Sequence, residues 1–343
     1  MIVATADRPP EWRDWGVGQT IEQAGLFGSY PRWSVEVPVP EVGPDARRYA
    51  SQLAARAVES ASASPAGAVH LNWPLREPLA PSPGDLQAIR AAASDQVAGP
   101  HFSHARRIAD SEDVRTLATL ARRYERGVLC CGPMELNPAL RAAITAFSDA
   151  AGWPVLADPT SNLRSEFEPQ RAPVLACGDV MLRASGFAGA MRPEVILRLG
   201  ETPVSKAQRL WIEQSDPAEV IWFDEGGQWG EPSHRATRVF RGGSSSLLAS
   251  AAADLSALPS EAASIGAEGG FGSALRQRAW CREFEAAEDR ARRAIDEMVR
   301  APEAWSGVSV AATVARVAPA GSLLFSSNSM SIRLLDLAMA TRA

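Results

Sequence analysis

Ser111-Glu112-Asp113-Val114, followed by Gly127-Val128-Leu129-Cys130-Cys131-Gly132, decides how the chain folds. The first stretch has the acidic, hydroxyl-led composition of a helix start and predicts a helix running to Arg126. The second is a continuous apolar run, read as a buried strand ending in glycine. The same alternation continues downstream. Pro138 to Ala150 reads as helix, Pro154-Val155-Leu156 as strand, and a helix is expected to begin near Val174. Glu194 to Leu199 reads as strand, Lys206 to Gln214 as helix, and Val220 to Phe223 and Thr237 to Phe240 as strands. Strand and helix in this rhythm predict a doubly wound parallel sheet.

Upstream, Met1 to Thr5 reads as a strand, Thr20 to Phe27 as a short helical turn and Trp33 to Val39 as an alternating strand. A helix starts at Pro44-Asp45 with Tyr49, Leu53 and Ala57 on one face, and Ala68 to Trp73 is the next strand. From Pro78 to about Asp110 the pattern dissolves into proline, serine, glycine and alanine, the composition of a linker.

Towards the C-terminus, a helix is expected around Leu247 to Leu255. A long one follows, with Trp280, Phe284, Ala287, Ala291, Ile295 and Met298 recurring at spacings of three and four. Glu288/Arg292 and Asp289/Arg293 are expected as exposed pairs. After a helix over Val308 to Val317, Leu323-Leu324-Phe325 reads as a strand that stops at Ser326-Ser327-Asn328-Ser329 and gives way to a helix N-terminus. Ser329 and Arg333 then lie four apart on one face, a hydroxyl and a guanidinium able to grip one carboxylate. The plainer reading of the same residues is a capped helix with a solvated arginine.

Composition excludes several classes. A formal charge of -5 leaves no cationic surplus with which to displace counterions, so a general nucleic-acid binder is not expected. The most apolar stretch, Val308 to Phe325, is interrupted by Arg316, Pro319 and Gly321, which argues against membrane insertion. Cys130, Cys131, Cys177 and Cys281 lack metal-ligand or redox spacing and read as reduced core thiols of a cytoplasmic protein. His101 and His104 are three apart but have no obvious carboxylate partner. Gly178-Asp179 resembles the start of a diphosphate-magnesium loop, yet no asparagine follows at the required distance. Glycine-rich dinucleotide and phosphate loops and a nucleophile elbow are absent. Pattern alone therefore gives three α/β pieces and no complete active site.

Five groups of residues in chain order carry a more specific signal. They are Thr5-Ala6-Asp7-Arg8-Pro9-Pro10-Glu11 with Gly18-Gln19-Thr20-Ile21; His70 to Leu79; Trp153 to Pro159; Pro203-Val204-Ser205-Lys206; and Asn328 to Arg333. Together they resemble the 2-succinyl-5-enolpyruvyl-6-hydroxy-3-cyclohexene-1-carboxylate synthases, thiamine diphosphate enzymes of menaquinone biosynthesis. The resemblance implies an α/β architecture of three doubly wound parallel-sheet domains, the first and third incomplete here. Residues 1–80 would be the back of the pyrimidine-binding domain, 81–110 a linker, 111–258 the central domain and 259–343 the start of the diphosphate-binding domain.

The resemblance implies decarboxylation of 2-oxoglutarate and addition of the succinyl carbanion equivalent to isochorismate, with thiamine diphosphate and magnesium as cofactors. It assigns Arg8, Gln19, Lys206, Ser329 and Arg333 to substrate binding. Ala207, where members of the family carry an arginine, leaves one such contact in doubt. Asp158 and Arg164 are read as a pair within the central domain, without a catalytic role. The family's catalytic glutamate and its Gly-Asp-Gly to Asn segment match no residues here. The chain is therefore expected to be an internal fragment, inactive alone, of an enzyme that is a homodimer or homotetramer when complete. Rival readings are another thiamine diphosphate 2-oxoacid decarboxylase or carboligase, or a non-catalytic α/β ligand-binding protein.

Overall fold

A computed structural model describes residues 1–41, 43–92, 99–105, 107–165, 173–227, 229–257, 268–301 and 305–342. The chain packs as two units, Met1–Ala105 and Arg106–Ala343.

The first unit holds β1 (Ile2–Asp7), β2 (Trp33–Glu36), α1 (Pro44–Ser62), β3 (Val69–Pro74) and α2 (Pro83–Ala92). Its three strands are parallel in the order β1-β3-β2. Period-two alternation sorts β3: Val69 and Leu71 pack under Leu53 and Ala57 of α1, while His70 and Asn72 face the other way. Tyr49, expected on the buried face of α1, is exposed. The region 20–27 forms turns rather than a helix, with Leu26 N–H donating to Gln23 O and Gly28 N–H to Gly25 O. The linker expected over 81–110 contains α2, a ten-residue helix, and its residues 93–98 lie outside the described structure.

In the second unit the elements in order are α3 (Ser111–Arg123), β4 (Gly127–Cys131), α4 (Pro138–Ala151), β5 (Val155–Ala157), β6 (Val174–Leu175), α5 (Gly178–Arg183) and α6 (Ser185–Ala190). They continue as β7 (Val195–Leu199), α7 (Lys206–Gln214), β8 (Glu219–Phe223), β9 (Arg238–Phe240), α8 (Ser244–Ser256), α9 (Glu268–Arg300), α10 (Gly307–Val317) and α11 (Met330–Ala338). Six parallel strands run in the order β6-β5-β4-β7-β8-β9, the doubly wound arrangement in which the winding reverses between β4 and β7. Val174-Leu175, expected to open a helix, is instead the edge strand paired with β5.

Both faces of this sheet are covered, which is why β4 reads as an unbroken apolar run. Leu129 and Cys131 pack with Leu117, Ile144, Phe147 and Leu248 of α3, α4 and α8. Val128 and Cys130 pack on the opposite face with Trp211, Trp280 and Phe284 of α7 and α9. Local signals start and stop these helices. Asp110 caps α3 by accepting from Glu112 N–H, Asn137 caps α4, and Gly152 ends α4 at φ 66° in the left-handed region. Gly127 is fixed by packing, since a Cβ there would lie 2.0 Å from the Trp153 ring.

The apolar stripe of α9 lies on the six-stranded sheet, and the domain start expected at 259 falls outside the described residues. Met298, at the end of that stripe, is exposed. Glu288 and Arg292 do not form a solvated pair: Glu288 accepts from the Ala176 and Cys177 N–H groups, and Arg292 donates to Ala338 O. Leu323-Leu324-Phe325 is not a strand; Leu323 and Phe325 are 93% and 90% exposed. An isolated strand leaves its backbone groups unpaired, and no described residue offers a ladder there.

Candidate functional site

Arg8 leaves the end of β1, where Asp7 organises the turn. One Asp7 oxygen accepts from the Arg8 N–H at 2.7 Å; the other accepts from Asn72 at 2.8 Å and lies 3.0 Å from the Arg13 guanidinium. Burial pushes the Asp7 carboxyl up, but hydrogen bonds from Asn72, Gln23 and the Arg8 N–H, with the Arg13 charge, hold it below the ordinary carboxylate range. The Arg8 guanidinium reaches Gly18 O at 3.3 Å and Gln19 Oε1 at 3.4 Å. The structure thus brings Arg8 and Gln19 together, and the five-donor guanidinium keeps N–H groups for a further acceptor. Arg76, just beyond β3, grips Glu11 with two bonds of 2.6 and 3.1 Å, tying that strand's exit to the Arg8 loop.

Behind this loop lies a polar layer that sequence reasoning missed. Thr5 Oγ1 sits 2.8 Å from His70 Nε2 and donates to Asn72 at 2.9 Å, and Phe27 meets the His70 ring edge-on. The only hint in sequence is a run of alternating polar residues on two strands whose register was unknown. His104, read as having no carboxylate partner, has Glu59 at 3.3 Å.

Lys206 occupies the first turn of α7 and is exposed. The loop before it is tightly held. Ser205 accepts from Gln208 N–H and donates to Asp179 at 2.7 Å, and Val204 N–H donates to Asp158 Oδ2 at 2.7 Å. Lys206 and Ala207 border a groove of ≈ 550 Å³ between α5, α6 and α7, which Arg183 and Arg192 also line. Ser329 lies just before α11 at φ 67° and makes no capping bond; it and Arg333 are exposed at the free end of that helix.

Asp158 and Arg164 do not pair with each other. Asp158 caps the turn Pro159–Ser161. Arg164, 1% exposed, donates to Ala157 O, Asp336 O, Met339 O and, at 2.5 Å, to Asp336 Oδ1. Burial pushes Asp336 up to about 6, with the Arg164 charge acting against the rise. A second buried pair joins Arg198, in the middle of β7, to Glu231 at 2.5 Å.

Among the described residues no group of three or more His, Cys, Asp or Glu could hold a metal ion. Asp179, the residue resembling the start of such a loop, is committed to Ser205 and Arg183. Nor do the thiols suit a nucleophile: burial pushes Cys130 up to about 11 and Cys177 and Cys281 up to about 12. The reversal point between β4 and β7, where doubly wound sheets commonly take dinucleotides, is closed. A Cβ on Gly132 would lie 1.9 Å from Glu201 O, one on Gly200 would lie 2.5 Å from Pro133 O, and Glu201 N–H donates to Pro133 O across the gap.

The six-stranded doubly wound sheet agrees with the comparisons. The family described as the middle domain of thiamine pyrophosphate matches residues 95–326, and the chain belongs to this family of thiamine diphosphate-dependent enzymes. Among curated proteins, it is 38% identical over 98% of its length to the 2-succinyl-5-enolpyruvyl-6-hydroxy-3-cyclohexene-1-carboxylate synthase of Myxococcus xanthus (strain DK1622), covering 54% of that protein. The synthases of the same name from Geobacillus kaustophilus (strain HTA426) and Roseiflexus sp. (strain RS-1) are 34% and 31% identical over 98% of this chain, which covers 54% and 55% of them. The chain spans about half the length of the curated relatives it matches.

Proposed function

We propose that the chain forms part of a synthase that decarboxylates 2-oxoglutarate and joins the resulting succinyl unit to isochorismate, releasing carbon dioxide. The observation that carries this reading is the end-to-end similarity to synthases of that name. Thiamine diphosphate and magnesium are proposed as cofactors of the whole synthase. The role derived for this chain's residues is to bind and orient anionic substrates.

In this reading Arg8, steadied by Asp7 and held against Gln19, presents guanidinium N–H groups to a carboxylate. Lys206 supplies a second cation, and Ser329 with Arg333 supplies a hydroxyl and a guanidinium from one helix end. A cytoplasmic homodimer or homotetramer is part of the proposal. Among the described residues no helix is long and apolar enough to cross a membrane.

Thermal shift of the chain with 2-oxoglutarate, isochorismate, pyruvate and nucleotides tests the reading. The expected result is stabilisation by the two dicarboxylates and loss of that shift in Arg8→Ala or Arg333→Ala. A response confined to pyruvate would favour a different 2-oxoacid enzyme, and a response confined to nucleotides a ligand-binding protein.

A further inference from the structure

We infer that Arg164 is a positioning residue, which fixes α11, and with it Ser329 and Arg333, to the same short segment that holds the Lys206 loop. The inference rests on the substrate-binding role proposed for those three residues. α11 has nine residues, too few to hold its own shape in water. Its stability and direction therefore come from what it docks against.

The docking is concentrated at one end. Arg164 takes the carbonyls of Asp336 and Met339 together with the Asp336 carboxylate, and Arg292 takes Ala338 O. Two guanidinium groups thus satisfy the C-terminal carbonyls that a helix leaves unpaired, at its negative end. The return chain is tied in as well, since Arg342 N–H donates to Arg164 O at 2.7 Å. The opposite end of α11, with Ser329 and Arg333, stays exposed and uncapped by its own side chain. Six residues before Arg164, Asp158 accepts from the Val204 N–H next to the Ser205 cap of α7. One segment, 158–164, therefore anchors the helix of Arg333 at one end and the loop of Lys206 at the other. Arg164 is 1% exposed and four of its five N–H donors are spent on protein acceptors, so it has no free face for a substrate.

Hydrogen exchange followed peptide by peptide, in wild type, Arg164→Ala and Arg164→Lys, tests the coupling. The expected result is at least tenfold faster exchange over 330–339 in Arg164→Ala, with β4 and β7 amides within twofold of wild type. Arg164→Lys keeps the charge and a donor but not the fork of four bonds; it is expected to accelerate the same peptide, by less. If Arg164→Ala does not fold, this variant decides. Acceleration spread evenly over the strands, or none over 330–339, overturns the inference. Calorimetry with 2-oxoglutarate separates the inference from the reading beneath it. Binding at least tenfold weaker in Arg164→Ala, with partial recovery in Arg164→Lys, supports positioning, and unchanged affinity overturns it. Absence of binding by wild type defeats the carboxylate-binding reading, while the exchange result still judges whether Arg164 fixes α11.

Discussion

Glu231 illustrates how single residues are constrained by burial. Burial pushes its carboxyl up, but Ser233, the Arg198 charge and the N–H groups of Arg235 and Ser233 hold it below the ordinary range. Replacing Glu231 by Ala strands the Arg198 guanidinium, 4% exposed, inside the sheet layer. The expected loss is about 3–5 kcal/mol, measured by urea unfolding, whereas paired removal with Arg198→Met should cost much less. The pair was not legible in sequence, because its members are 33 residues apart and nothing local signals the contact. The same holds for Arg164 and Asp336, 172 apart, and for the Arg8–Gln19 contact, which depends on the fold of an irregular loop.

Elements were more legible, since their signals are local. The α9 stripe was readable from spacing alone, and Phe284 is fully buried at its centre among Trp280, Trp211 and Phe187. Phe284→Ala should cost about 3–5 kcal/mol in chemical denaturation, through lost burial and the cavity left behind. A loss under about 1 kcal/mol would mean that this helix is not docked on the central sheet. Sequence failed where an element depends on a neighbour. Leu323-Leu324-Phe325 has strand composition but no ladder partner among the described residues, and Val174-Leu175 becomes a strand because β5 is beside it. The same dependence explains why Glu288 and Arg292 serve backbone groups on other elements instead of each other.

At the scale of the molecule, both faces of the six-stranded sheet draw their cores from within Arg106–Ala343. Residues 106–343 expressed alone should therefore melt cooperatively and keep their helical circular dichroism, whereas Met1–Ala105, with one small core, should be much less stable. The second unit should also respond to pH in a defined direction. Asp336 is raised from 3.8 to about 6, so the folded state binds the proton more tightly than the unfolded chain. Stability from this group is full below the unfolded value and is lost as pH rises through the folded one. From pH 7 to pH 5 it should contribute about 1 kcal/mol of added stability, seen as a raised melting temperature that Asp336→Asn flattens. Glu231 works in the opposite sense, since its carboxyl is lowered from 4.5 and its contribution falls only at more acidic pH.

The sequence by itself determined the alternation of strand and helix, the apolar faces of α1 and α9, the helix start after Ser329 and the kinship with thiamine diphosphate enzymes. These follow from side-chain period, capping chemistry and residue order, all of which act over a few positions. Only the tertiary structure decided which carboxylate meets which guanidinium, that the gap between β4 and β7 is closed, and that α11 hangs from Arg164. Those depend on contacts between residues distant along the chain, where burial makes an unpaired charge or carbonyl costly and so selects one partner among many.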